Sequence, residues 1–542
     1  MTITSSTTPP IAPENLQLQQ LFTGVLTGET QTSPAKGGVF PHEVRDSQWS
    51  QVQPVRAADP KLVTHSAEMA SLLGIDIQAN PSLAAKIFTG SELVDGSVPY
   101  AMRYGGHQFG GWAGQLGDGR AIALGELTDT KDQHWTLQLK GAGPTPYSRQ
   151  GDGFAVLRSS IREYLCSEAM HYLGIPTTRS LTLCLTGDHI ERDIFYNGQI
   201  ETERGAILCR TAHSFIRFGS FEIHAAYDEQ TQLKSLADYV IRQDYPHLLP
   251  ADNNPTIDTY QQWFAEVQQR TATLIAHWQR VGFVHAVMNT DNMSILGQTI
   301  DYGPYGWLEE YDPRWTPNYI DQQGRRYSYG NQPQIGLWNM YRLANAVLPL
   351  FNGNTEPLEE ILSTYNEYFD AQWNAMSAAK IGIDQFNVKS GDDTLLKDLW
   401  TLLETTSIDF TLFFRTLGTT DQNATPDTIL QALSAAFYQS DTITDDIRTQ
   451  YKTWLNQWQD RTKDIKNKNT LMNTTNPKYV LRNYVAQMAI DAAEKDDYSV
   501  IEELATVLKH PYDEQPSFEK YAALRPEWAS QRPGCTMLTC SS

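Results

Sequence analysis

The stretch F-V-H-A-V-M-N-T-D-N-M-S-I-L-G-Q-T-I-D-Y-G, residues 283–303, places Asp291 and Asn292 in one short polar turn and Asp301 in a second. Asp, Asn and Gly are turn formers, so either segment alone reads as an ordinary turn. Following each other directly after a capped helix, they read as a metal-binding pair. Asn292 offers an amide oxygen and Asp301 a carboxylate. Mg²⁺ favours hard oxygen ligands and usually takes only one or two from protein.

The spacing is that of a phosphoryl-transfer loop. A protein-kinase catalytic loop reads H-R-D-x-x-x-x-N and is followed by D-F-G. His285 and Asn292 match that spacing, and Asp301-Tyr302-Gly303 stands where D-F-G would. Val287 occupies the place of the catalytic Asp, and it has no proton-accepting group. The loop keeps its metal ligands and lacks a base at the usual position.

Upstream, residues 257–281 form a long helix with Trp263, Phe264, Val267, Leu274, Ile275 and Trp278 on one stripe, ended by Gly282. Downstream, helical spacing recurs at 336–350, 355–375, 394–417, 427–438, 444–462, 478–493 and 498–508, with a polar loop at 463–477. Earlier in the chain, 121–127 and 135–139 alternate as strands around a polar turn, and 180–185 and 206–210 are strand-like. Residues 155–173 carry helical spacing, with Leu157, Ile161, Leu165 and Ala169 near one face, Asp152 as cap and Gly174 as stop. These patterns predict an α+β, bilobal protein-kinase-like fold: a β-rich, one-helix N-lobe and a large, mostly helical C-lobe. The expected boundaries are a disordered, Ser/Thr/Pro-rich segment at 1–15, an N-terminal extension and N-lobe at 16–250, a C-lobe at 251–525, and a tail at 526–542.

Phosphoryl and nucleotidyl transfer need a phosphate cradle, a divalent ion and a positioned nucleophile. Lys140 ends the strand L-Q-L-K, and Glu163 lies in the following helix, so the pair can neutralise a nucleotide phosphate. The glycines of G-G-H-Q-F-G-G-W-A-G-Q-L-G-D-G-R, residues 105–120, let backbone N–H groups approach an anion. They form neither a Walker A loop nor G-x-G-x-x-G, because Gly114, Gly117 and Gly119 run in the reverse order and Arg120 follows. Arg210 and Arg217 add two phosphate-binding forks; salt bridging in an acidic protein explains that stretch about as well.

The chain has 542 residues with 42 Lys plus Arg against 63 Asp plus Glu, a net charge of −21. Such a surface argues against nucleic-acid or anionic-membrane binding and favours basic or neutral protein partners. No apolar run is long enough to span a bilayer and no leader pattern opens the chain, so a cytoplasmic protein is expected. Of five cysteines, Cys166, Cys184 and Cys209 lie in apolar patterns; Cys535 and Cys540 fall in the tail, where exposed, redox-active thiols are expected.

Taken together, Y-G-G-H-Q-F-G-x-W-A-G-Q-L-G-D-G-R, L-Q-L-K-G-A-G-x-T-P-Y-S-R-x-G-D-G, I-R-F-G-x-F-E, V-M-N-T-D-N-M-S-I-L-G-x-T-I-D-Y-G-P-Y-G and N-P-K-Y-V-L-R-N-Y resemble the selenoprotein O family (SelO, also called YdiU) over most of the chain. Members are pseudokinases that act as protein adenylyltransferases, binding ATP flipped so that the α-phosphate faces the acceptor. The resemblance implies AMP transfer to Ser, Thr or Tyr hydroxyls of proteins, possibly including this chain itself, with release of pyrophosphate. It implies nucleotide contacts from Gly117, Gly119, Arg120, Lys140, Asp152, Gly153, Arg210, Arg217 and Asp301. It implies Mg²⁺ or Mn²⁺ on Asn292 and Asp301, Glu163 holding Lys140, and Asp291 as proton acceptor. The base is then displaced by four positions from Val287 rather than missing. Cys540, third from the end, matches the selenocysteine position of selenoprotein members and is expected to act as a redox tail; Cys535 departs from a tight redox pair. The competing readings are UMP transfer from UTP with Mn²⁺, a true protein kinase, and a non-catalytic ATP-binding scaffold.

Overall fold

The computed structural model describes residues 10–30, 41–194, 197–421, 423–439 and 443–539. It is mixed α and β, with a large sheet in the first half of the chain and helices dominating the second. The strands are β1 (Gly28–Glu29), β2 (Trp49–Gln51), β3 (Lys61–His65), β4 (Tyr100–Met102), β5 (Gly105–Gln108), β6 (Gly111–Gln115), β7 (Ala121–Thr128), β8 (His134–Lys140), β9 (Ala155–Val156), β10 (Arg179–Asp193) and β11 (Ile200–Ala212). Nine of them form one sheet among the described residues, in the order β1-β2-β4-β7-β8-β11-β10-β3 with β9 on β11. The β7–β8 turn is tied by Asp129, which accepts from the N–H groups of Lys131 and Gln133 and from the Trp135 indole.

The expected single helix of this half is joined by four others. Ser66 caps α1 (Ala67–Leu72) and Asn80 caps α2 (Pro81–Ile87). The expected helix is α3 (Leu157–Tyr172), followed by α4 (Phe218–Ala226) and α5 (Gln230–Asp244). The first two are too short to show a period, and α4 opens within I-R-F-G-S-F-E, where the arginine dominates the reading. Asp152 does not cap α3, whose N-cap is Val156; its carboxylate pairs with Arg192 instead. Gly174 follows α3 in the left-handed region, as expected of a stop. Of the segment expected to be disordered, residues 1–9 lie outside the described residues, whereas Pro13–Asn15 forms a 3-10 turn and Ile11 bridges to Ile75.

In the second half, α6 (Ile257–Val281) has Thr256 as N-cap and Gly282 in the left-handed region at its end, and its six expected stripe residues are buried. There follow α7 (Gln332–Val347), α8 (Glu356–Ser363), α9 (Tyr365–Lys380), α10 (Asp392–Glu404), α11 (Phe410–Thr419), α12 (Pro426–Leu433), α13 (Asp445–Thr462), α14 (Lys468–Thr475), α15 (Asn483–Ala493), α16 (Ser499–Val507) and α17 (Glu527–Ser530). Two expected helices are each broken in two. The second break places Asp409, which caps α11 and pairs with Arg482. The polar loop expected at 463–477 contains α14 instead. Its Asn- and Thr-rich sequence is a weak helix former, and packing decides: Met472 is fully buried and the Lys468 ammonium lies 4.1 Å from the Trp458 ring. One hydrophobic core runs from the sheet through α3 and α6 to α15, and a second fills the space among α9–α14.

Between the halves, β12 (Phe283–Val284) pairs antiparallel with β13 (Gly306–Trp307). This two-rung ladder closes residues 285–305 into one loop. His285 fastens the interior: its Nε2 donates to the Ile300 carbonyl at 2.9 Å. Burial lowers its basicity, which suits a neutral ring. Asp301 follows Ile300 directly, with φ of +58°.

Candidate active site

Strand register assembles the cationic wall. Gln138 and Lys140 are two apart on β8 and share a face. Arg210 on β11 stands opposite Gln138, and its Nε donates to Gln138 Oε1 at 2.8 Å. Ala121, next to Arg120, stands opposite Lys140 on β7. Behind them, α3 presents a buried Glu163, which accepts from Lys140 at 2.5 Å and from Arg210 at 2.9 Å. Arg217, at the start of α4, donates to the Asp291 carbonyl at 2.8 Å and lies 4.6 Å from the Tyr104 ring.

Asp301 is the focus of this wall. Arg210 Nη1 reaches its Oδ1 at 2.6 Å, Arg217 Nη1 pairs with Oδ2, and Lys140 lies 3.9 Å away. Burial pushes the carboxyl up, but Arg217, Arg210 and Lys140 together hold it well below the usual carboxylate range. Burial works against the charge of Lys140 more than Glu163 restores it, so its ammonium is easier to deprotonate than usual.

The sequence reading missed a third carboxylate, Asp118, between Gly117 and Gly119. It is buried, accepts from Gln138 at 3.0 Å and from the Met102 N–H at 3.1 Å, and lies 3.6 Å from Arg217. Burial raises its pKa against the pull of Arg217. Asp118, Glu163 and Asp301 thus stand against Lys140, Arg210 and Arg217. An acidic residue between two glycines of a phosphate loop was the available signal.

The glycines have steric reasons. Gly117 has φ of +131°, and a β-carbon there would lie 2.4 Å from the Tyr147 ring. Gly153 has φ of +78° and packs against Gly143, where a β-carbon would meet backbone at 2.2 Å. Asp152, beside it, sits half-exposed on Arg192.

Asp291 lies in a 3-10 turn, Thr290–Asn292, under the β5–β6 hairpin. Gln108 Nε2 donates to its Oδ2 at 3.0 Å, while Oδ1 is buried with no hydrogen-bond partner. Burial raises its pKa to about 6, more than the Gln108 hydrogen bond and Arg217 lower it. Asn292 donates from Nδ2 to the Val287 carbonyl at 2.8 Å, which reserves its Oδ1 for another ligand. Gln108 was also missed from the sequence; it sat among glycines that drew the reading.

A cavity of about 1080 Å³ lies over these groups. Its lining includes Gly117, Gly119, Arg120, Lys140, Asp152, Gly153, Arg210, Arg217, Asp291, Asn292 and Asp301, together with Val287. Glu163 stands behind Lys140. Among the described residues no three His, Cys, Asp or Glu side chains gather closely enough to hold an ion by themselves. Asn292 and Asp301 offer the two hard oxygen ligands that Mg²⁺ or Mn²⁺ accepts when phosphate and water complete its shell. The donor set therefore fits such an ion, provided Asp301 shares its oxygens with the two arginines.

The tail differs from expectation. Cys535 is buried in the main core, and burial pushes its thiol up to about 11. A protonated, packed thiol is a poor redox group. Cys540 lies outside the described residues. Cys166, Cys184 and Cys209 are buried free thiols, as expected. No helix among the described residues is long and apolar enough to cross a membrane.

Residues 42–509 match the family model described as protein adenylyltransferase SelO. The chain is 50% identical over 521 residues to a protein nucleotidyltransferase YdiU of Rhodopirellula baltica, covering 93% of this chain and 96% of that one. It is 48% identical over 536 residues to the protein of that name from Flavobacterium johnsoniae, covering 98% and 100%. It is 50% identical over 517 residues to that of an Azoarcus species, covering 94% and 97%.

Proposed function

The chain belongs to the SelO family and is a nucleotidyltransferase, and from that premise we propose that it transfers AMP from ATP to Ser, Thr or Tyr hydroxyls of proteins. The observation that carries this reading is one cavity lined by the Asp291 carboxylate together with Lys140, Arg120, Arg210 and Arg217.

The residues divide the work. Arg120 and the forks of Arg210 and Arg217 bind the polyphosphate, and Lys140 is aimed by Glu163. Gly117, Gly119 and Gly153 allow the backbone to approach the nucleotide, with Asp152 at the rim. Asn292 and Asp301 hold Mg²⁺ or Mn²⁺, which when bound neutralises phosphate charge. The acceptor oxygen bonds to the α-phosphorus, the bond from that phosphorus to the bridging oxygen breaks, and pyrophosphate leaves. The hydroxyl proton passes to the Asp291 carboxylate. A carboxylate with a pKa of about 6 is charged at neutral pH yet basic enough to draw a proton. The same arrangement supports the flipped nucleotide, since Val287 puts no acceptor atom where a kinase keeps its base.

We read the architecture as bilobal and kinase-like, with the sheet half at 16–250, the helical half at 251–525 and the cavity where they meet. ATP labelled at the α- or the γ-phosphate, with a general protein acceptor and Asp301→Ala as control, tests the reaction. Protein labelled from the α-phosphate alone supports AMP transfer. Label from the γ-phosphate alone would make the protein a kinase. Bound ATP without any transfer would favour a scaffold, and α-labelled UTP with Mn²⁺ tests the uridylyl alternative.

A further inference from the structure

We propose that the surface beside Asp291 formed by Phe109, Trp112, Trp338, Arg326 and Arg342 docks the protein acceptor, and that it selects a hydroxyl flanked by acidic side chains. The proposal rests on Asp291 being the base and names the substrate class of that site.

The β5–β6 hairpin is the hinge of the argument. Its last β5 residue, Gln108, holds Asp291. Its tip, Phe109-Gly110, takes φ of +50° and +88°. The Phe109 N–H donates to Asn289 and to the Tyr327 hydroxyl, and its ring lies 5.1 Å from that of Tyr327. Gly110 faces Arg326: a β-carbon there would lie 3.5 Å from the guanidinium carbon. Arg326 thus stands against the tip of the hairpin whose other end holds Asp291.

From Arg326 the side-chain contacts run on to α7. The Arg326 guanidinium lies 4.7 Å from the Trp338 ring and that of Arg342 lies 5.0 Å from it. Trp338 and Arg342 are four apart on α7 and share a face. His107 joins Trp338 to Trp112, at 5.6 and 5.2 Å between rings. Phe109 and Trp112 are 44% and 40% exposed, large apolar rings left in water at the mouth of the site.

Charge names the occupant. Among the described residues, no carboxylate lies within ion-pair distance of Arg326 or Arg342, and both Nε atoms are buried without a hydrogen-bond partner. The nearby Asp321 spends its two oxygens on the N–H groups of Arg326 and Tyr327, and Glu222 is engaged by His107 at 2.6 Å. In a chain of net charge −21, these two guanidinium groups form no ion pair, although Asp321 lies near enough to Arg326 to feel its charge. The net charge alone favours basic partners, but the field at the contact decides docking. An extended segment advances ~3.3 Å per residue, so a peptide that lays its hydroxyl against Asp291 carries flanking carboxylates toward the arginines. The exposed rings cover its apolar neighbours.

Fluorescein-labelled peptides with one serine flanked by Glu, by Gln or by Lys test this by fluorescence anisotropy on the whole chain. The Glu peptide should bind about tenfold more tightly than the Gln peptide, with the preference shrinking as salt rises. Arg326→Gln with Arg342→Gln should erase the preference, while Trp112→Ala should weaken both peptides alike. Equal binding of the Glu and Gln peptides by the unaltered chain, tighter binding of the Lys peptide, or a preference that survives loss of both arginines would overturn the proposal. Asp291→Asn should bind the Glu peptide like the unaltered chain and transfer no AMP. Arginine-dependent binding without label from α-labelled ATP on any peptide would uphold the acidic-segment surface and sink the catalytic reading.

Discussion

The side-chain amide of Gln108 donates a 3.0 Å hydrogen bond to Oδ2 of Asp291, and the carboxylate's other oxygen is buried with no partner. The amide fixes the carboxylate plane beneath the hairpin, with Oδ1 set against Gly106. Gln108→Ala should lower kcat by about tenfold to a hundredfold, the worth of a hydrogen bond to a charged group. The KM for ATP should hold, because Gln108 touches no cation of the phosphate wall. Gln108→Glu should be worse than alanine, since it sets like charges together. Steady-state kinetics with ATP varied at saturating acceptor read this directly; a rise in KM alone would assign Gln108 to binding.

Gly117 is held in a conformation that other residues reach with strain, against the Tyr147 ring. Gly117→Ala must move the loop or the ring. We expect ATP affinity to fall by about tenfold or more, from strain of about 1–3 kcal/mol, with the melting temperature little changed. Isothermal titration calorimetry alongside thermal unfolding separates the two effects.

Asn292 and Asp301 are the only protein ligands we assign to the ion, and Asp301 is shared with Arg210 and Arg217. Removing divalent ions with EDTA should abolish transfer without altering the far-ultraviolet circular dichroism, because the arginines already neutralise Asp301. Adding back Mg²⁺ or Mn²⁺ should restore activity. Unfolding on chelation would give the ion a structural role instead.

Glu229 is buried and accepts from Arg103 at 2.7 and 3.1 Å, from His224 at 2.7 Å and from the Asp46 N–H at 2.9 Å. Burial pushes its pKa up, but these partners outweigh burial and bring it from 4.5 to about 2. A depressed folded value means the unfolded chain binds the proton more readily. The stabilisation is therefore complete above about pH 4.5 and is lost as pH falls toward 2. Glu229→Gln should cost about 3 kcal/mol at neutral pH, as removing one partner strands Arg103. It should also flatten the acid limb of stability against pH, measured by urea unfolding.

The sequence made the site more legible than its surroundings. Lys140, Glu163, Asn292 and Asp301 were nameable because a strand end, a helix and motif spacing constrain where a side chain can go, whereas Asp291 as a base came from the family resemblance, and for Arg210 and Arg217 salt bridging explained the stretch about as well until the resemblance was added. Asp118, Gln138 and Gln108 were not nameable, because their roles depend on register across β7, β8 and β11 and on the fold-back of a hairpin. Helix α6 was readable from its period and caps. Helix α14 was not, since Met472 and Lys468 are held by partners distant in sequence. Cys535 was misplaced for the same reason: proximity to a chain end says nothing about what the chain end packs against.

Leu538 completes a backbone pairing with Pro317 and Tyr319, next to Ile320 in the cavity lining. The Thr539 hydroxyl then donates to the Ile194 carbonyl at 2.6 Å, beyond the β10 strand. Two backbone hydrogen bonds therefore tie a segment distant in sequence to the cavity's edge, and a chain cut before Leu538 would leave the Pro317–Tyr319 backbone without that partner.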